Sequence, residues 1–267
     1  MPDYMELNRE LWDEITPIHE KADLYDIEGF KAGKTSLKQV ELSEVGEVAG
    51  KSLLHLMCHI GLDSISWARL GAKVTAMDFS LESIKLARSL SREIGVDVDW
   101  IQANIYDLPQ NLKGQFDVVF TSYGVLCWLP DLKRWAEIIA HFLKPGGFFY
   151  IVEGHPALNI FDNSSGIEEF KVTFSYFENT EPNFWGPCGD YTDRNTKATH
   201  GSYEWTHPLS AVVNSLIEAG LKIEFLHEFP FTCYQWSDFT KKSTDDNWHV
   251  KGDNVPLQFS LKASKPE

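Results

Sequence analysis

The sequence predicts an α/β fold around a parallel sheet, and three observations carry that expectation. After Gly50, short apolar runs recur with helical stretches between them, the rhythm of β-α-β units. Helix-stopping residues fall where each helix should end, at Gly71, Gly95 and Pro145-Gly146-Gly147. The stretch LLHLMCHIGLDS, residues 53–64, reads as a buried strand running through a turn into a helix.

Element by element, Met5, Leu7, Leu11, Trp12 and Ile15 have helical spacing and predict a helix over 5–16, ended by Pro17. A polar stretch leads to a short helix around 37–48. Strands are predicted at 52–57, 73–78, 98–103, 117–122 and 147–153, with helices at 62–70, 80–95 and 131–143 between them. Residues 156–206 break the rhythm with FDNSSG, NTEPNFWGPCGDYTDRNT and a strand in GSYEWTH, the pattern of an insertion made of hairpins and loops. Pro208 then opens a helix to Ala219, Gly220 stops it, KIEFLHEF reads as a strand, and VPLQFSLKAS over 255–264 as the last one. The organisation expected is one domain: an N-terminal helical cap (1–49), a core (50–156), an inserted lid (157–206) and the completion of the sheet (207–267).

Composition narrows the partners. With 267 residues, 43% apolar and 24% charged, the chain is long enough for a large core. A net charge of −15 and the lack of Lys/Arg runs argue against nucleic acid, which needs a concentrated basic face, and leave a small molecule as the default partner. No apolar run reaches membrane-spanning length, and the acidic start MPDYMELNRELWDEI lacks the apolar core of a signal peptide. Cys58, Cys127, Cys188 and Cys233 show neither disulfide nor metal-ligand spacing, which fits reduced thiols in the cytoplasm and no metal.

Ligands of open α/β sheets bind at the carboxyl ends of the strands, near the switch point of the strand order. The first of these ends offers backbone N–H groups at the start of helix 62–70, a seat for a carboxylate or ribose. Asp78 ends the second; a carboxylate there accepts two ribose hydroxyls side by side, although it also reads as a helix cap, for which Ser80 is better placed. After the third, the amide oxygen of Asn104 can accept from an adenine amine and the N–H of Ile105 can donate to a ring nitrogen; Asn104 serving its own turn is the alternative.

This ensemble resembles the class I S-adenosylmethionine (SAM)-dependent methyltransferases. Gly61, Asp78, Asn104 in QANIYDLP, FDVVFTS at 116–122 and FLKPGGFFYIVEGHP at 142–156 match the family's motifs in order. A narrower likeness is to a bacterial subgroup carrying L-H-L-x-C-H-x-G-x-D. The resemblance implies a Rossmann-like, seven-stranded, mostly parallel sheet with an antiparallel last strand and helices on both faces. It also implies SAM as cofactor and S-adenosylhomocysteine as product, held by Leu56, Cys58, His59, Gly61, Asp63, Asp78, Phe79, Ser80, Asn104, Ile105 and Thr121. Three departures stand out: His55 replaces an acid, Met57 and His59 replace two glycines, and Asn104 replaces an acid. Without the strand-one acid, the SAM ammonium is left to the carbonyls of Leu56 and Thr121 or to Asp63, which reads equally as dipole compensation in a first helical turn.

On the acceptor side the candidates are Tyr123 and Trp128 after strand four and Glu153 and His155 after strand five. Methyl transfer from a sulfonium is served mainly by proximity, and a base is needed only for a protonated acceptor. The aromatic-rich insertion reads as a lid, as an accessory core or as a homodimer surface. The leading expectation is a SAM-dependent methyltransferase of a small molecule. A non-catalytic binder of SAM or its demethylated product is the alternative, and a nicotinamide dehydrogenase fits less well because only Gly61 survives of its glycine motif.

Overall fold

A seven-stranded sheet organises the computed structural model, which describes residues 3–162, 166–167, 169–178, 181–187, 189–192, 196, 198–252 and 254–267. Its strands are β1 (Ser52–Leu56), β2 (Lys73–Asp78), β3 (Asp99–Gln102), β4 (Phe116–Ser122), β5 (Leu143–Gly154), β6 (Lys222–Phe229) and β7 (Gln258–Ser264), in the order β3-β2-β1-β4-β5-β7-β6. β1 to β5 are parallel, and β7 runs antiparallel to both neighbours. The order reverses at β1, which pairs with β2 on one side and β4 on the other. A crevice therefore opens at the carboxyl ends of β1 and β4.

Alternate residues of each strand point to opposite faces, and both faces are covered, so the central strands are apolar almost throughout. On one face Leu54, Leu56, Val119 and Ile151 pack with Trp135 and Phe142 of α7 (Leu132–Phe142) and Val212 and Leu216 of α8 (Leu209–Glu218). On the other, Leu53, Val118, Phe120 and Tyr150 pack with Trp67 of α4 (Leu62–Arg69), Ile84 of α5 (Leu81–Glu93) and Val45 of α3 (Gln39–Val45). The other helices are α1 (Tyr4–His19), α2 (Ile27–Lys31) and the short α6 (Leu108–Asn111).

Three expectations change. Pro17 does not end α1, which continues to His19. The proline forfeits only its own backbone hydrogen bond, and the last turn is held by His19, a fully buried side chain tied to His59 and Asp190. β5 starts at Leu143, because the Pro-Gly-Gly turn is absorbed into the strand as a register shift opposite Phe116 and Val118. Gly147 makes this feasible: a Cβ there would lie 3.0–3.1 Å from the carbonyls of Asp117, Lys144 and Phe116. Between β6 and β7 the chain also builds a small sheet from Phe231–Thr232, Lys241–Lys242 and Trp248–His249, whose two-residue strands leave no periodicity to read.

In the inserted stretch Asn183–Trp185 pairs with Ser202–Glu204. Part of its aromatic content is an accessory core, where Phe161 and Phe170 join Leu158, Trp236 and Leu257. Phe177 and Phe184 stay exposed. Cys188 and residues 163–165, 168, 179–180, 193–195 and 197 of the predicted insertion lie outside the described residues. Cys58, Cys127 and Cys233 are free thiols, and among the described residues no helix is long and apolar enough to cross a membrane.

Candidate cofactor site

The turn after β1 keeps the backbone path of a glycine loop without its glycines. Met57, His59 and Gly61 all adopt positive φ, at 58°, 49° and 78°. A non-glycine residue there costs about 1 kcal/mol, so other contacts must hold the path. The Cys58 N–H donates to the Met77 carbonyl (2.9 Å), the His59 N–H to Asp78 Oδ2 (2.8 Å) and the Gly61 N–H to the Cys58 carbonyl (2.9 Å). Asp78 thus braces the loop, and its other oxygen accepts the Ser80 N–H at 2.9 Å. Burial pushes its carboxyl up to about 6, with the amide bonds pulling the other way. Each carboxylate oxygen has a second lone-pair direction, so the bracing leaves acceptor capacity for hydroxyl groups.

Gly61 opens α4, but the close approach it permits is internal. A Cβ at this position would lie 2.3 Å from the Trp100 ring and 2.9 Å from Ala87.

The remaining predicted contacts divide by what their side chains already do. Leu56 and Ile105 are buried, and Cys58 is a buried thiol near the His59 carbonyl, so only their backbones are available. Ser80 caps α5, accepting the Ser83 N–H, and donates to Asp13. Phe79 is half-buried after Asp78. Asn104 Oδ1 accepts the Tyr106 N–H (3.0 Å), so its side chain does serve its own turn. Thr121 is buried inside β4, opposite Ile151.

At the other end of the crevice, His55 cannot replace an acid. Its ring is buried edge-on to Phe120 with Nδ1 2.8 Å from Ser64 Oγ, and burial lowers its pKa, keeping it neutral. The nearby carboxylate is Asp63. It is half-buried, and Oδ2 accepts the Ser122 hydroxyl at 2.7 Å. Glu41 from the cap accepts the Lys38 N–H and the Tyr123 hydroxyl. Burial, aided by the Asp63 charge, pushes Glu41 up to about 7.

Glu153 and His155 are already engaged on the acceptor side. Glu153 accepts the N–H groups of Gly124 (2.6 Å), Gly154 (2.7 Å), Val125 (2.7 Å) and Leu126 (3.4 Å), which fixes the turn after β4. His155 Nδ1 accepts the Ala157 N–H (3.0 Å) at the start of a short 3-10 turn, while Nε2 lies 2.8 Å from Glu228 Oε1. Of the two readings open at each position, base or loop bond for His155 and amine binding or fixing another residue for Glu153, these bonds fit the second: Glu153 and His155 Nδ1 hold buried backbone N–H groups. Tyr123 remains at the crevice in a left-handed conformation (φ 42°), hydrogen-bonded to Glu41.

Sequence reasoning reads α1 with Trp12, and Tyr25 after it, as elements that close over the cofactor, with packing alone as the other account of Trp12; it missed the polar residues that dock the cap. Asp13 of α1 accepts from Ser80 Oγ (2.7 Å) and the Glu82 N–H (3.1 Å), docking the cap on α5. Asn8 pairs twice with the backbone of Tyr203 in the insertion. Trp12 lies 5.0 Å from the His59 ring and 5.3 Å from Trp128, and Tyr25 lies 5.6 Å from His59. Apart from the helical spacing that buries one side of α1, nothing local in the sequence announces these long-range contacts.

Comparison with known proteins gives a consistent answer. Residues 54–151 match the family described as "Methyltransferase domain". Among curated relatives, the ubiquinone biosynthesis O-methyltransferase of Xanthomonas euvesicatoria pv. vesicatoria is 38% identical over 130 residues, 48% of this chain and 54% of the relative. Its namesake in Erwinia tasmaniensis is 37% identical over 98 residues, 37% of this chain and 40% of the relative. The chain therefore spans about half the length of the curated relatives it matches. In fold it is similar to a SAM-dependent methyltransferase structure from Listeria monocytogenes (TM-score 0.61, 17% identity, 85% of this chain and 96% of the other). It is similar also to the [4+2]-cyclase SpnF (TM-score 0.59, 15% identity, 99% and 97%). Residues 54–151 thus carry a methyltransferase domain, and the 3-2-1-4-5-7-6 sheet with its reversed last strand is the fold that the resemblance to the class I SAM-dependent methyltransferases implied.

Proposed function

We propose that this chain transfers the methyl group of SAM to a small-molecule acceptor, mainly by proximity and orientation. The observation that carries the reading is the loop after β1, held in a glycine-loop path at the switch point by the very carboxylate, Asp78, that ends β2. The residues present fit the cofactor. Asp78 has lone pairs left for the ribose hydroxyls, Asn104, Ile105 and Phe79 flank the place for the adenine, and Asp63 offers a carboxylate for the ammonium. When bound, SAM supplies a methyl group on a sulfonium that is already a good leaving group. What remains for the protein is to align the acceptor and exclude water. Trp12, Tyr25 and Trp128 line the closure, and Tyr123 stands at the acceptor side.

Support for a small-molecule acceptor comes from the names of the curated relatives and from the cap that encloses the crevice. The free thiols Cys58, Cys127 and Cys233 support a reducing, cytoplasmic setting. The exposed rings Phe177 and Phe184 make a homodimer the companion expectation. One observation favours the second reading, a non-catalytic binder: Glu153 near the end of β5 and Nδ1 of His155 just after it are both bonded to backbone N–H groups.

Calorimetric titration tests the proposal. SAM and S-adenosylhomocysteine should bind below millimolar concentration, NADH should not, and Asp78→Ala should weaken both adenosyl ligands about ten- to hundredfold by removing charge-assisted hydrogen bonds. Failure to bind either adenosyl ligand overturns it. Binding without S-adenosylhomocysteine production from any metabolite pool would favour the non-catalytic reading.

A further inference from the structure

His59, at the second glycine position of the loop, sends its ring to the cap. Its Nε2 lies 2.8 Å from Nδ1 of His19 in the last turn of α1, and its Nδ1 3.1 Å from Ser83 Oγ in the first turn of α5. The His19 Nε2 lies 3.0 Å from Asp190 Oδ2 in the insertion. Ser83 Oγ lies 2.8 Å from Thr16 Oγ1, which is 2.7 Å from the Trp12 carbonyl. One bonded chain thus joins insertion, cap, cofactor loop and α5. His19, Ser83, Thr16 and Asp190 are all buried within it. Asp190 is anchored in turn by the Thr192 N–H at 2.8 Å.

The chemistry of the chain is self-consistent. With Asp190 ionised, His19 Nε2–H donates to it. The His19–His59 link can form in either direction, His19 Nδ1 accepting from or donating to His59 Nε2, and burial keeps His59 neutral. A glycine at position 59 would relieve the positive φ but leave this link unmade. The imidazole therefore explains why the loop departs from its family's pattern here.

We propose that this bonded chain is a latch on the cofactor crevice. His19 and Asp190 act as positioning residues that keep α1 closed over the loop, and ligand enters or leaves when the His19–His59 link opens. That the ligand is SAM rests on the function proposed above; the latch itself does not. A latch that is closed both before ligand arrives and after it has bound slows entry as well as exit. Its loss should therefore raise both rates and leave affinity nearly unchanged, whereas a merely structural lesion would raise dissociation alone. A net buried hydrogen bond corresponds to about tenfold in an opening equilibrium.

The test mixes full-length protein with S-adenosylhomocysteine in a stopped-flow instrument and follows tryptophan fluorescence, to which Trp12 and Trp128 contribute. In His19→Ala and Asp190→Ala, association and dissociation should each accelerate about tenfold, with Kd within about threefold of the parent, and in His59→Gly both rates should rise to a similar degree. His59→Gly places glycine where φ is already positive, so it provides a folded variant should His19→Ala unfold. The double variant His19→Ala/His59→Gly should add nothing to either single change, because both break one link. Unchanged association rates, or multiplying effects, overturn the latch. If the parent protein binds no S-adenosylhomocysteine, the cofactor reading fails and the latch is judged without ligand, by hydrogen exchange. Amides of α1 should then exchange about tenfold faster in His59→Gly while those of β1 and β4 do not change; unchanged α1 exchange overturns it.

Discussion

Replacing Asp63 by Asn separates the two ends of the cofactor site. The side chain sits in the first turn of α4 with Oδ2 accepting the Ser122 hydroxyl at 2.7 Å, a bond that an amide oxygen retains. The fold is therefore expected to survive while the charge is lost. No neighbour compensates: His55 is buried and neutral, and Glu41, pushed up to about 7, already serves the Lys38 N–H and the Tyr123 hydroxyl. A hydrogen bond to a charged group contributes about 1.5–3 kcal/mol, so S-adenosylhomocysteine should bind about ten- to hundredfold more weakly. 5′-Methylthioadenosine has the same nucleoside and thioether but no amino-acid end, and its affinity should move less than about twofold. Calorimetry on parent and variant with both ligands measures the difference. Equal weakening of the two ligands, or unchanged S-adenosylhomocysteine affinity, would refute the assignment of Asp63 to the ammonium.

Other perturbations probe the loop and its braces. Gly61→Ala combines positive-φ strain of about 1 kcal/mol with overpacking against Trp100 of about 1–3 kcal/mol; urea unfolding should show a loss of about 2–4 kcal/mol, and an unchanged midpoint would remove the clash. Glu153→Gln puts an NH2 group against backbone donors and should cost about 3 kcal/mol or more, seen as a lower melting temperature; a variant as stable as the parent would show that the carboxylate does not hold that turn. Asp78 has a folded pKa raised to about 6 from an ordinary 3.8, so its stabilising contribution is full below 3.8 and lost as pH rises through 6. Between pH 7 and pH 5 the parent should thus gain about 1 kcal/mol relative to Asp78→Asn; a constant difference in urea titrations would mean that Asp78 does not titrate near 6.

The central sheet was legible because buried parallel strands must be apolar and the helices between them must be stopped, and both requirements mark the chain locally. Asp78 was legible too, since the end of β2 is a fixed place relative to the switch point. Its second task, bracing the His59 N–H, was not, because a backbone bond leaves no signature in residue type. Gly61 shows the limit sharply: the need for glycine was visible, but its cause, the Trp100 ring packed beneath it, came from another strand.

What the sequence determined by itself was therefore the α/β order, the crevice and the identity of the residues at the strand ends. Only the tertiary structure decided how those residues are used. It engaged Glu153 and His155 in structural bonds, paired Asp63 with Ser122, and joined His59 to His19 and Asp190. The physical reason is that a buried polar group must find a partner wherever the folded chain supplies one, and those partners stand 40 and 171 residues apart along the chain.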